Sequence, residues 1–410
     1  MRGASVKYIA VWQRLSGFLM RILFLITFVN LLGFGLIIPL LPFYIERVGG
    51  GPEIITLVIA LYSLLQFLTA PTIGRLSDRY GRRPVLIWTT VGVIVSHLLL
   101  GFADSLWLVI LARSVGGIAA GNVGVIFAYV TDISSGADRA KFMGYLGAAF
   151  SLGFMFGPVI GGVLAGADVE TANFMLPAFS AAGLTVVALL CLLALLPESL
   201  QAEYRSDTTD SAAATLGAQL RTAFANRTFA ILSVIAILLY ISWSALLSIF
   251  ALWNNRVLEL GPRDIGLIFM YSGFIGALCQ LTLIGPLTKR FGEPALLLLT
   301  VVAMGFGLWA MADATTVTAT LIAMTLLSIS HSMFSPVSTS LVSKYALPTE
   351  RGVLLGVFQG VGGFGRVLGP AYAGVAFAQL GSGSAYMIGA LLMVPCAMLA
   401  IAVVRRPAPA

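Results

Sequence analysis

Gly74-Arg75-Leu76-Ser77-Asp78-Arg79-Tyr80-Gly81-Arg82-Arg83-Pro84 packs four arginines and one aspartate between two long apolar runs. A weaker copy, Gly285-Pro286-Leu287-Thr288-Lys289-Arg290-Phe291-Gly292, lies 211 residues later. Gly74, Leu76, Arg79 and Gly81 recur there as Gly285, Leu287, Arg290 and Gly292, and Tyr80 recurs as the aromatic Phe291. Glycine permits a tight turn. Asp78 is placed to accept hydrogen bonds from Arg82 or from the N–H groups of a nearby helix start. A charged turn repeated at half the chain length implies two related bundles of helices.

The surrounding composition places those bundles in lipid. Of the 410 residues, 59% are hydrophobic and only 10% are charged, against roughly 25% charged in a soluble domain. A spanning helix takes about 20 apolar residues. Twelve runs of that kind begin near Ile22, Ile54, Pro84, Leu106, Phe142, Phe174, Phe229, Ile265, Pro294, Val317, Val353 and Ala385. With both termini on the cytoplasmic side, the opposite loops retain only Arg47, Arg256 and Arg263 of the 24 Lys and Arg residues, and Arg113 and Arg366 fall inside spans. All the others are cytoplasmic, which is the positive-inside pattern. It accounts for the net charge of +7 without a nucleic-acid partner, since no soluble face exists to carry a basic stripe. Cys191, Cys279 and Cys396 lie in apolar runs with neither metal-ligand nor disulfide spacing.

The chain divides at its one long polar stretch. Residues 1–197 form the expected N-terminal six-helix bundle, 198–227 a cytoplasmic linker and 228–410 the C-terminal six-helix bundle. The fold class is therefore all-α integral membrane, twelve spans in two pseudo-symmetric halves. The repeat extends into the fifth span, where Gly144, Gly153, Gly157-Pro158 and Gly161-Gly162 recur 212 residues on as Gly356, Gly365, Gly369-Pro370 and Ala373-Gly374. Small residues let helix backbones approach closely, and an interior proline bends the helix.

The opening turn resembles the signature of the major facilitator superfamily after its second helix. That resemblance assigns a gating and charge-relay role to Asp78, Arg79 and Arg82, and to Asp132 at the end of the fourth span. Gly144, Gly153, Gly157, Pro158, Gly161 and Gly162 resemble the family's antiporter motif, found mainly among exporters. The first-span segment Gly33-Phe34-Gly35-Leu36-Ile37-Ile38-Pro39 and the fourth-span segment Leu111-Ala112-Arg113-Ser114-Val115-Gly116-Gly117 are similar to the twelve-helix drug:proton antiporter branch, in particular the tetracycline efflux pumps. Those pumps carry acidic residues where this chain has Asn30 and Ser96, the latter followed by His97. They carry a histidine where it has Gly276, with Gln280 nearby. These departures point away from tetracycline itself.

No carboxylate lies deep in a span, so the candidate substrate or proton cavity is assembled from Asn30, His97, Arg113, Gln280, His331 and Arg366. An intramembrane charge is expensive enough to be functional by default, and histidine titrates near neutral pH. Trp243, Trp253 and Phe334 are further candidates to line an apolar cavity. Nothing in the sequence suggests an enzyme: there is no nucleophile motif, no ATP-binding loop, no metal cluster and no cofactor signature. The resulting expectation is a secondary active exporter of small amphipathic, drug-like compounds, working by proton antiport and alternating access. It would act as a multi-pass monomer in a bacterial inner membrane, with both termini cytoplasmic. The alternative is a carrier of anionic organic metabolites or lipids that uses Arg113 and Arg366.

Overall fold

The computed structural model describes residues 2–134, 136–200, 221, 223–346 and 351–405, with side chains described from residue 17 onward except at 135–137, 140 and 351–353. The described residues are helical and contain no strand. In chain order the helices are α1 (Arg2–Ile37), α2 (Leu41–Arg47), α3 (Pro52–Tyr80), α4 (Arg82–Gly101), α5 (Leu106–Ala119), α6 (Val123–Ile133), α7 (Gly136–Ala165), α8 (Met175–Leu195), α9 (Arg227–Leu258), α10 (Pro262–Thr282), α11 (Ile284–Phe291), α12 (Glu293–Ala312), α13 (Val317–Tyr345), α14 (Arg351–Leu380) and α15 (Ser384–Val404). Lipid offers no partner to a bare N–H or C=O, so an apolar chain closes its backbone bonds within each helix. Eleven of these segments are long and apolar enough to cross a membrane, with α5 and α6 forming one span through the 3-10 turn Ala120–Asn122. The expected eleventh span, α14, is 30 residues long but is not among those eleven. It supplies the twelfth long helix.

The repeated turns take the same shape. Gly81 separates α3 from α4 at φ 107°, ψ 158°, and Gly292 separates α11 from α12 at φ 76°, ψ 160°. Both lie in a backbone region essentially reserved for glycine.

Contacts divide the chain into two compact units. Unit 1 holds the described residues of Met1–Tyr44, Leu64–Asp207 and Pro262–Met270; unit 2 holds those of Ile45–Ser63, Thr208–Gly261 and Tyr271–Ala410. Pro262–Met270, the start of α10, thus groups with unit 1, and Ile45–Ser63, which includes the start of α3, groups with unit 2. Most of the expected linker, residues 201–220 and 222, lies outside the described residues. Within unit 1, α1 packs along α7 and α8, and α4 along α5 and α8. Within unit 2, α9 packs along α14 and α15, and α12 along α13 and α15. The two pairing schemes are one scheme repeated.

Glycine sets the closest of these approaches. A Cβ on Gly157 would lie 2.7 Å from the Gly35 Cα and 2.8 Å from the Leu32 carbonyl oxygen, and one on Gly153 would meet Leu31. In unit 2, a Cβ on Gly365 would meet Ile237 and Tyr240, and one on Gly369 would collide with Ile241 and Ser244. The correspondence reaches the next turn: Gly162 backs onto Pro262 and Arg263, while Gly374 backs onto Pro52, Glu53 and Thr56. Gly144 and its counterpart Gly356 differ, with nothing within 4 Å of a Cβ position.

This contrast makes a stability prediction. Gly157→Ala should cost about 1–3 kcal/mol through overpacking against backbone that has nowhere to move. Gly144→Ala should be neutral or stabilise by roughly 0.5–1 kcal/mol, because only the conformational freedom of glycine is removed. Thermal unfolding of both variants in detergent should lower Tm for the first alone. Equal shifts would show that the α1–α7 approach does not depend on Gly157.

Candidate functional site

The turn between α3 and α4 organises a network around Arg82. The helix begins at this residue, and its amide donates to Glu198 Oε1 at 2.8 Å, while the Arg83 amide donates to Glu198 Oε2 at 3.1 Å. A carboxylate here satisfies the open N–H groups of a helix start and complements its dipole. A Cβ on Gly81 would collide with that carboxylate, so Gly81 is required for the approach as well as for its φ. The Arg82 guanidinium donates to Asp78 Oδ1 at 2.5 Å, to Ser77 Oγ at 2.7 Å and to Asp132 Oδ2 at 3.3 Å. Its side chain is 11% exposed, against 51% for Asp78 and 22% for Asp132.

The stretch after α8 completes the network. Ser199 Oγ donates to Asp132 Oδ2 at 2.9 Å, the Tyr129 hydroxyl donates to the Pro197 carbonyl at 2.7 Å, and Arg83 donates to the Leu193 carbonyl at 2.6 Å. Asp78, Arg82 and Asp132 are therefore brought together. Arg79 is not among them; its guanidinium lies 5.4 Å from the ring centre of Tyr80. Glu198, Ser199 and Ser77 were missed in the sequence. The only available signal was a Pro-Glu-Ser stretch closing the sixth span, and it does not specify a partner more than a hundred residues away.

The second copy reverses the charges. The repeat offset of 211–212 places Glu293 at the Arg82 position and Lys344 at the Asp132 position. The two form an ion pair at 2.8 Å, and Ser340 Oγ donates to the same Glu293 oxygen at 2.8 Å. Both units thus join the start of one span to the end of the next by an ion pair, with opposite polarity.

The polar residues inside the spans form two groups. In unit 1, His97 and Arg113 are both buried, and Arg113 is within Coulombic reach of His97. The Arg113 guanidinium lies 5.9 Å from the Phe34 ring centre. Gly33 leaves room beside His97, since a Cβ there would touch His97 and Thr185 at 3.4 Å. His97 Nδ1 and Asn30 Oδ1 are buried without a hydrogen-bond partner among the described residues. Ser96 instead bonds the Ala112 carbonyl at 2.7 Å, tying α4 to α5.

In unit 2, the His331 ring stacks on Trp243, with centroids 4.0 Å apart and planes 7° apart. Tyr240 meets His331 edge-on at 6.3 Å, and the Arg366 guanidinium lies 5.4 Å from the Tyr240 ring centre. Gln280 donates to the Ser332 carbonyl at 3.3 Å, which makes it a strut between α10 and α13. Trp253 and Phe334 are fully buried packing residues. The three cysteines are free thiols.

A family model described as Major Facilitator Superfamily matches residues 23–281 and 232–410. The chain belongs to this superfamily. It is a multi-pass membrane transporter rather than an enzyme. Among its relatives, tetracycline resistance protein, class C, of Escherichia coli is 29% identical over 370 residues, covering 89% of this chain and 91% of that protein. Multidrug resistance protein 2 of Bacillus subtilis (strain 168) is 27% identical over 354 residues, covering 85% and 86%. A crystal structure of the nucleoside transporter NupG superposes with a TM-score of 0.76 at 16% identity, covering 95% of this chain and all of that one. The fold is therefore shared well beyond recognisable sequence.

The network of this superfamily member yields a second prediction. Glu198→Gln removes the carboxylate that accepts from the first two amides of α4, so the protein should lose about 1 kcal/mol of stability. The loss should appear as a lower Tm at low salt and shrink at high salt as screening rises. A salt-independent change would show that Glu198 acts through packing alone.

Proposed function

We propose that this transporter exports small amphipathic, drug-like compounds in exchange for protons by alternating access. The observation that carries the proposal is the extended likeness to tetracycline and multidrug resistance proteins, which spans most of both chains. The α7 helix supports it: its glycine face lies against α1 and carries Pro158 within the helix. Such a contact has few interlocked side chains, so two helices can slide or tilt without unpacking a side-chain jigsaw. On this proposal both termini lie in the cytoplasm of a bacterial cell, the protein sits in its inner membrane, and the working unit is a monomer.

In this reading Arg82 is the gate latch. Asp78, Asp132 and Glu198 hold it and the start of α4 in one arrangement, and loss of any one bond favours the other. Asp132 is also the proton site. It is a carboxylate bonded to both Arg82 and Ser199, so adding a proton removes an acceptor from the latch and couples proton entry to gate release. Asp78→Asn should leave the protein inserted and slow transport several-fold, by weakening a charge-assisted bond of about 1.5–3 kcal/mol. Efflux and membrane level measured together test this, and normal efflux at normal level would remove Asp78 from the gate.

Reconstitution in proteoliposomes tests the coupling. With a compound panel including a quinolone and ethidium, an imposed pH gradient should drive uptake into inside-out protein. Asp132→Asn should abolish the response to pH while exchange down a substrate gradient persists. His97→Gln and His331→Gln should retain the pH response. Its loss in either histidine variant would move the proton site into the spans.

A further inference from the structure

Tyr240, Trp243, His331 and Arg366 make a cluster in unit 2 that the gate does not use. We propose that it is a subsite for a planar aromatic anion, the carboxylate- or sulfonate-bearing end of the transported compound. This rests on the export reading above and names the chemistry that reading leaves open.

The cluster sits at mid-helix on every element. His331 is the central residue of the 29-residue α13, Arg366 is at the middle of the 30-residue α14, and Trp243 is at the middle of the 32-residue α9. A helix of about 30 residues is roughly 45 Å long, so these side chains lie far from either end. A charge there is costly. Arg366 is nonetheless exposed rather than packed away, and among the described residues no carboxylate pairs with it. Its guanidinium lies over the face of Tyr240, which orients it without neutralising it.

The cluster also has a definite side. Ile241, Leu368 and Tyr372 line an apolar groove with Ile388 and Leu392 of α15. Trp243 and Arg366 each follow or precede one of these groove residues by two positions, about 200° around a helix. They face the opposite way from the groove. That opposite face holds a flat aromatic wall, the parallel Trp243–His331 pair, with a cation on the neighbouring helix. His331 Nδ1 is buried and has no partner there.

Packing alone would not call for these residues. Leucine or phenylalanine would fill the space without an orphaned ring nitrogen or an uncompensated cation. An aromatic anion answers all three features: its ring stacks on the wall, its charge meets Arg366, and a polar substituent meets the histidine nitrogen. A lipophilic cation meets only the wall and is repelled by Arg366.

The test uses the full-length protein in lipid nanodiscs and two fluorescent probes, fluorescein as the aromatic anion and ethidium as the aromatic cation. Fluorescence anisotropy should show tighter binding of fluorescein. Arg366→Gln should weaken fluorescein at least tenfold and leave ethidium equal or tighter. Arg366→Lys should fall between, since it keeps the charge and loses the planar fork, and Trp243→Leu should weaken fluorescein several-fold. Thermal melts establish that each variant is folded. The proposal is overturned if wild type does not bind fluorescein, if Arg366→Gln binds it normally, or if a folded Arg366→Gln loses both probes equally. The export reading fails separately: wild-type proteoliposomes that move no panel compound would refute it, while the nanodisc affinities would still decide the subsite.

Discussion

Close approach of helix backbones is the constraint on which this structure depends. In lipid the tails are as apolar as leucine, so helices gain little by hiding apolar surface from their surroundings, and packing rests on contact. At Gly157 and Gly35 two backbones touch with no side chain between them. The same solution recurs where Gly365 and Gly369 meet α9. It brings α7 onto α1 and α14 onto α9; α7 and α14 share this spacing apart from Ala373 in place of a glycine. It also permits movement, because a glycine face has no side-chain ridges to lock it in one register.

The two charged turns show how one scaffold supports unlike electrostatics. A helix start carries a partial positive charge. Glu293 suits that position in α12 and needs only Lys344 to balance it. Arg82 opposes the helix start in α4, and this half compensates with three carboxylates, Asp78, Asp132 and Glu198. The extra acids are thus a consequence of putting an arginine at a position where the repeat tolerates a glutamate. Neutralising one of those acids leaves Arg82 with its other partners, whereas neutralising Glu293 leaves the pair in unit 2 with none. The asymmetry leaves the first turn with three carboxylates around one arginine and the second with a single pair.

What was legible in the sequence follows from the range of each interaction. The twelve helices were legible because hydropathy is a local property. The Asp78–Arg82 contact was legible because four residues in a helix make neighbours. The grouping with Asp132 came through a resemblance rather than through spacing. Glu198 was hidden: it looked like one acid in a polar linker, and its role depends on a fold that returns the end of α8 to the start of α4. The reversed pair Glu293–Lys344 was legible in principle by applying the repeat offset to every charged residue, not only to the turn.

The arginines within the spans separate by environment in a way that spacing could not foresee. Both were grouped as one candidate cavity, yet Arg113 is buried beside Phe34 and near His97, and Arg366 is exposed. A buried guanidinium has its five donors enclosed by the protein. An exposed one in mid-span retains donors for a ligand. Equal residue types at comparable positions along their helices therefore divide into a buried cation in unit 1 and an exposed one in unit 2. The division matches the turns, where unit 1 carries the elaborate network and unit 2 the simple pair. The branched ion-pair network thus lies in the first half of the chain, and the exposed mid-helix cation in the second.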